Sequence, residues 1–259
     1  MKTKFSFIRS TFLIILFISS LWTGSVCAQL IDFNGLAHGT IVNTQFAGVT
    51  ISADNVGGGP DIAVAFDSNL TGTQDPDLEK GAGWSGGNLP SNTDLGKLLI
   101  IQENSTGIGD GVADIPDDEG SRPAGTITFL FDTPLKSFGF DLIDVEGPEE
   151  YGIDSGFFLA FYSGDSTMNS EGFGTFIARD GAVYGDNTVN RISPFTAADL
   201  GLSQFDRVDI NFGGSAAIDN IRTTPVPEPA TMFLLGAGLV TIAGIGRKKI
   251  FSRKEKKRS

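Results

Sequence analysis

Between Gln29 and Pro225 no window of about 11–18 residues repeats apolar side chains at helical spacing along its length. Short β-branched and aromatic runs stand there instead, separated by Gly, Asp, Asn and Pro. In TITFLF and SFGFDLI apolar residues alternate with others, the pattern of a strand with one buried face. The spacing predicts strands at LIDF, TIVN, GVTIS, IAVAF, KLLIIQ, GTITFLF, LKSFGFDLI, GFFLAFY, GTFIAR, RVDINF and AIDNIR. One short helix is expected at TAADLGLSQF, capped by Thr196. So many short strands without partner helices define an all-β fold, an antiparallel jelly-roll-like β-sandwich occupying residues 29–225 as one domain. Most of the 21 Phe lie in this segment and supply its core. The turn-rich stretch Gly57–Gly96 breaks the strand rhythm, and a loop that long is either functional or mobile.

Both flanks read as processing segments. Lys2, Lys4 and Arg9 precede the apolar run TFLIILFISSLW, and SVCA follows, which is the layout of an N-terminal signal peptide over residues 1–28 with its cut after Ala28. A lipoprotein cut at Cys27 would want a small residue where Val26 stands. Removing this segment removes the only cysteine, so the exported domain has no disulfide, no thiol nucleophile and no Cys-ligated zinc. At the other flank, residues 226–259 begin with VPEP and continue into the uncharged run Ala230–Gly246. That run sets the predicted transmembrane helix at 230–246, near the lower length limit for crossing a bilayer. The basic tail 247–259 holds eight Lys and Arg against one acid, which keeps it in the cytoplasm with the sandwich outside.

The formal charge of −12 conceals how acidic the middle is. Residues 29–225 carry eight Lys and Arg against 29 Asp and Glu. Such a surface repels phosphate backbones, so nucleic acid is excluded as a partner. It suits a soluble extracellular domain and is compatible with calcium binding.

Catalytic sets are hard to assemble. The single histidine, His38 in GLAHGT, is the only base available to a serine nucleophile. GDST (Gly164–Thr167) looks like the nucleophile block of secreted esterases, but both it and the histidine stand in the wrong order for that family. LIDVEG (Leu142–Gly147) resembles the Glu-x-Asp-x-Glu strand of laminarinase-like hydrolases, with Leu142 where the nucleophile belongs. Asp144 and Glu146 remain, and solvent-facing acids ending a strand is the plainer account of them.

Calcium is the better use for clustered oxygens. DSNLTG (Asp67–Gly72) opens like a calcium loop, yet its twelfth position falls on Leu78. GDGVAD, with Asp110 and Asp114, looks like one copy of an Asp-rich calcium repeat. Carbohydrate-binding jelly rolls, which the expected fold resembles, hold a structural Ca2+ between first and last strands, where Asp32 and Asp219 stand. The alternative throughout is Asp capping its own turn. For sugar binding, Trp84 in GAGWSGG is the candidate stacking platform; otherwise it tucks its loop onto the sandwich.

Pro227-Glu228-Pro229-Ala230, a short Gly-containing apolar run and a basic cluster together resemble the PEP-CTERM sorting signal. The resemblance implies export through the inner membrane of a Gram-negative bacterium, anchoring by the C-terminal helix, and processing near the triplet by exosortase, a cysteine transpeptidase-like membrane enzyme. Two prolines keep the triplet extended and outside the helix, where a processing enzyme can grip it. The basic tail is longer than is usual in that family. FNGLAHGTIVNTQFAGVTIS and GSAAIDNIR also resemble the first and last strands of β-sandwich domains common in such proteins. The expectation is a non-enzymatic surface or exopolysaccharide-matrix protein whose sandwich is a calcium-stabilised module binding extracellular polysaccharide. The alternatives are a polysaccharide-active enzyme and a purely structural surface component.

Overall fold

The computed structural model describes residues 28–81, 84–145, 158–164, 167–171, 187–227 and 238. The predicted signal peptide apart from Ala28, the GTFIAR strand, Glu146 and the predicted span 230–246 apart from Gly238 lie outside the described residues. Residues Cys27–Val226 cluster as one compact unit. Among the described residues strands make up 49% and helix is almost absent.

The elements, in order, are β1 (Gln29–Ile31), β2 (Ile41–Val42), β3 (Val49–Asn55), β4 (Ala63–Asp67), a 3-10 turn (Pro76–Leu78), β5 (Lys97–Ile101), β6 (Ile108–Gly109), β7 (Val112–Ala113), β8 (Gly125–Ile143), β9 (Leu159–Ser163), β10 (Thr167–Glu171), β11 (Val189–Thr196), β12 (Phe205–Phe212) and β13 (Ala217–Pro225). All pairings between named strands are antiparallel.

The architecture turns on β8. The sequence predicts two separate strands, GTITFLF and LKSFGFDLI; the chain instead forms one strand of 19 residues. Its first half pairs with β3 on one edge and β12 on the other, and β12 continues to β9 and β10. Its second half pairs with β11 and β13, and β13 leads on to β5, β4 and β2. One strand thus belongs to both sheets of the sandwich and bends where it crosses, at the register shift between Leu130 and Leu135. Pro134 sits in that bend, where its missing N–H breaks no ladder bond. Paired edge to edge these strands form one continuous eleven-stranded sheet, and the apolar cluster shared by its two parts is what makes it a sandwich; a jelly-roll order is not required by the pairings.

Alternation does the burying. In β3 every second residue is buried, and Ile127, Phe129 and Phe131 of β8 point inward with Phe138, Phe140 and Leu142. Phe129, Phe131, Phe138 and Phe140 form a run of ring contacts at 5.6–6.4 Å between centroids. The outer face of the second sheet carries a second apolar cluster, in which Phe66, Leu98, Ile100, Ile143 and Val189 are covered by Leu78, Trp84 and Leu95. The long loop is therefore the lid of a second core. Gly87 lets it lie against β11, since a Cβ there would come within 2.1 Å of the Val189 carbonyl oxygen.

Two further expectations change. TAADLGLSQF forms a single turn rather than a helix, and β12 starts at its last residue, Phe205. Thr196 still caps that turn, its Oγ1 accepting from the Asp199 amide at 3.1 Å. The strand β11 was hidden because VNRISPFT contains a proline and is bulged between Ile192 and Phe195. Pro194 packs where Gly139 has no side chain.

Candidate functional site

The outer face of the second sheet is apolar under the lid and ionic beyond it. Asp141 of β8 lies in register with Arg191 of β11 and with Asp219 of β13. Arg191 donates to it through Nε (3.0 Å) and Nη2 (2.9 Å). Arg222 adds Nη1 at 2.8 Å, and Asn220 adds Nδ2 at 3.1 Å. Asp141 is fully buried, so these donors replace the water it has lost. Arg222 is fixed further by the carbonyls of Phe140 (2.7 Å) and Ile192 (3.1 Å), and the Arg191 guanidinium is held charged chiefly by its bonds to Asp141. Asn220, in the left-handed conformation, makes the bulge that brings its amide over both Asp141 and Asp219.

Asp219 is less well served. Its Oδ2 accepts from Asn220 at 2.8 Å, but its Oδ1 is buried without a partner. Among the described residues only one other buried side-chain polar atom, Thr223 Oγ1, shares that condition. Burial pushes the Asp219 carboxyl up to about 8, and the charges of Asp141 and Asp32 push it the same way. Asp32 is close because β1 pairs with β13, Ile31 opposite Ile221, which sets Asp32 level with Asn220. Its own Oδ1 accepts from the Asn34 amide at 3.2 Å. The sequence-predicted pair is thus brought to one place, and Asp141 and Asn220 join it. Even so, no three acidic, His or Cys side chains converge to hold a metal among the described residues. A cation at Asp219 would have to draw on Asp32 and on uncharged oxygens as well.

A second acidic cluster has no counterpart among the sequence motifs. Asp75, at the start of the 3-10 turn, accepts the Asp118 amide on Oδ2 at 2.9 Å. Asp118 accepts Ser215 Oγ at 2.6 Å. Both acids are nearly inaccessible and lie side by side, so burial and the neighbouring charge favour a proton on the pair. Burial first, and for Asp75 the Asp118 charge next, push Asp75 up to about 10 and Asp118 up to about 6. This pair ties the lid loop to the 103–120 loop and to the β12–β13 turn. No motif announces it, since residues 75, 118 and 215 meet only after folding.

Other sequence candidates find structural employment. Trp84 is corrected as a stacking platform: it is 3% exposed, packs in the second core and donates Nε1 to the Asp77 carbonyl at 3.1 Å. Its apolar ring gains more from covering Phe66 and Leu98 than from facing water. Asp110 and Asp114 stand on an exposed turn, and no third acid joins them among the described residues. Asp110 and Gly111, both at positive φ, form the two-residue tip of the β6–β7 hairpin, and Asp114 follows it, exposed. Asp67 caps the Asn69 amide and pairs with Lys97 at 3.1 Å. His38 accepts the Asp67 amide on Nδ1 at 3.0 Å, and burial lowers its pKa. Asp144 lies beyond the end of β8, buried at positive φ, and accepts the Asn187 amide at 2.6 Å. Gly164 of GDST is in a turn between β9 and β10, as a solvent hairpin requires.

The triplet stands where β13 ends. Pro225 is opposite Leu135, and the Val226 amide donates to the Pro134 carbonyl at 2.7 Å. Pro227 comes next, exposed. Among the described residues no helix is long and apolar enough to cross a membrane. No curated protein and no solved structure matches the chain significantly. Residues 225–249, however, match the family described as the PEP-CTERM protein-sorting motif, and by that motif the chain carries the sorting signal of PEP-CTERM proteins.

Proposed function

We propose that the chain is an exported, exosortase-processed protein of a Gram-negative cell surface or exopolysaccharide matrix, and that its sandwich catalyses no reaction. The observation that carries this reading is the sorting motif over residues 225–249, set directly after the last strand of an acidic sandwich. The signal-peptide layout of residues 1–28 agrees with it. A non-enzymatic role is supported by the commitments of His38 and Asp144 to backbone amides. The Asp75–Asp118 pair is too deeply buried to meet a substrate. Extracellular polysaccharide as a partner follows from the destination, without Trp84 as its platform. Intact-mass analysis of the protein from its native envelope is expected to give a chain running from Gln29 to near Pro229; a mass retaining the basic tail would refute processing.

Calcium stabilisation is the finer part of the proposal, now narrowed to Asp219 and Asp32. Its support is the buried, unpartnered Asp219 Oδ1 beside two further acids. Bound calcium would neutralise that carboxylate and take its free oxygen. Saturating Ca2+ at pH 8 is expected to raise the melting temperature over the chelated protein by several degrees, since about 2.7 kcal/mol accrues at a hundredfold excess over Kd. Asp219→Asn is expected to abolish the increment. An equal response to calcium in wild type and mutant would remove the site from Asp219.

A further inference from the structure

The end of β13 and the sorting triplet are continuous, and this bears on how the triplet is read. Up to Thr223 the strand is held on both sides: Thr223 lies opposite Phe138 of β8 and opposite Gln29 of β1, and Ile221 and Thr223 are buried. Beyond it β8 is the only strand partner among the described residues. The β1 pairing starts at Gln29 opposite Thr223, so among the described residues no strand pairs with Thr224–Val226 from that side. These three residues are held by the Thr224–Ser137 and Pro225–Leu135 pairings, by Ser137 Oγ on Thr224 Oγ1 at 3.0 Å, and by the Val226 amide on the Pro134 carbonyl.

Enzymes that cut or transfer peptides commonly take them as extended strands, bonding to the substrate's own N–H and C=O groups. Prolines at 225, 227 and 229 leave few donors in this segment. From Pro225 through Pro227 the Val226 N–H is the only one, and the fold uses it inside the sandwich. Side-on pairing to β8 occupies one backbone edge, and Pro225 and Pro227 leave the opposite edge without an N–H to offer an enzyme groove.

Resting on the sorting reading above, we infer that the folded sandwich limits its own processing: the enzyme must lift Thr224–Val226 off β8 to seat the triplet. The lift stops at Thr223, where double-sided pairing and burial make further opening costly. At most three residues upstream of the triplet are therefore available to the enzyme, and recognition falls on the triplet and the residues C-terminal to it.

The test is a pulse-chase of the full-length chain in its native exporting cells, read by intact mass. Inserting Gly-Ser-Gly-Ser-Val between Val226 and Pro227 preserves VPEP while giving the triplet a valine whose amide is free. It is expected to speed processing about fivefold, the factor that one net backbone hydrogen bond represents. Ser137→Cys with Thr224→Cys places a cross-link on facing residues of a domain that has no other cysteine. The oxidised form is expected to be processed several-fold more slowly, and adding the spacer to it should restore the rate. Equal rates for wild type, spacer and cross-linked chains would overturn the inference while leaving sorting intact. A wild-type chain that is never processed, like one with the triplet changed to alanines, would overturn the sorting reading and this inference with it.

Discussion

Asp141→Ala is expected to lower the stability of the sandwich by about 3 kcal/mol, which for a domain of this size is a fall in melting temperature of roughly 6–12 °C. The side chain is wholly inaccessible, and two guanidiniums and the Asn220 amide converge on it. Removing one member of a buried charge network strands the rest, and that cost exceeds what the intact network adds to stability. Half of the Arg191 side chain is exposed and can rehydrate, which moderates the loss; a quarter of Arg222 is exposed and recovers less. The partners should therefore rank. Arg222→Ala is expected to cost more than Arg191→Ala, because Arg222 also satisfies the carbonyls of Phe140 and Ile192. Thermal unfolding of the three variants measures this order, and a loss below about 1 kcal/mol for Asp141→Ala would show that the network is not structural.

Stability should also fall as pH rises from about 5 to 9. Asp118, Asp219 and Asp75 have carboxyls pushed up to about 6, 8 and 10, each chiefly by burial. Their ordinary values lie near 4 in the unfolded chain. Between the unfolded and folded values the native state binds more protons than the unfolded state, so the slope of stability against pH is negative. The contribution is fully present below about pH 4 and is lost as pH rises through 6 to 10. Raising a carboxyl's pKa by one in the folded state is worth about 1.4 kcal/mol, so the decline over this range is on the order of a few kcal/mol in calcium-free buffer. Asp75→Asn should flatten much of the curve, since an amide donates to Asp118 at any pH. Urea unfolding followed by Trp84 fluorescence, the one tryptophan outside the signal segment, reports the lid directly. Stability that is flat or rising from pH 6 to 9 would show that these buried carboxyls do not hold protons there.

Strand patterning carried most of the fold because burial on one face of a strand is a local, period-two property. Val49–Asn55 was legible for that reason, and Lys97–Ile101 as a short continuous apolar run buried on both faces. β8 was not, because the pattern marks Asp132-Thr-Pro as a break, while the contacts that carry the strand through it come from β12 and β13. The hairpin tip Asp110-Gly111 held two readings, a calcium repeat and a tight turn. Positive φ at both residues shows the turn, which the sequence pattern alone did not separate from the repeat.

Sequence alone determined the sorting signal, the all-β class and the acidic, cysteine-free character of residues 29–225. These depend on composition, on period and on contiguous motifs, all of which are written along the chain. Tertiary structure alone decided that Trp84 is core rather than platform and that Asp75 meets Asp118 and Ser215. It also decided that Asp219 keeps a bare oxygen next to a saturated Asp141, and that the triplet follows a paired strand without a spacer. Burial and charge coupling arise between residues far apart in sequence, so their energies exist only once the sheets have closed on each other.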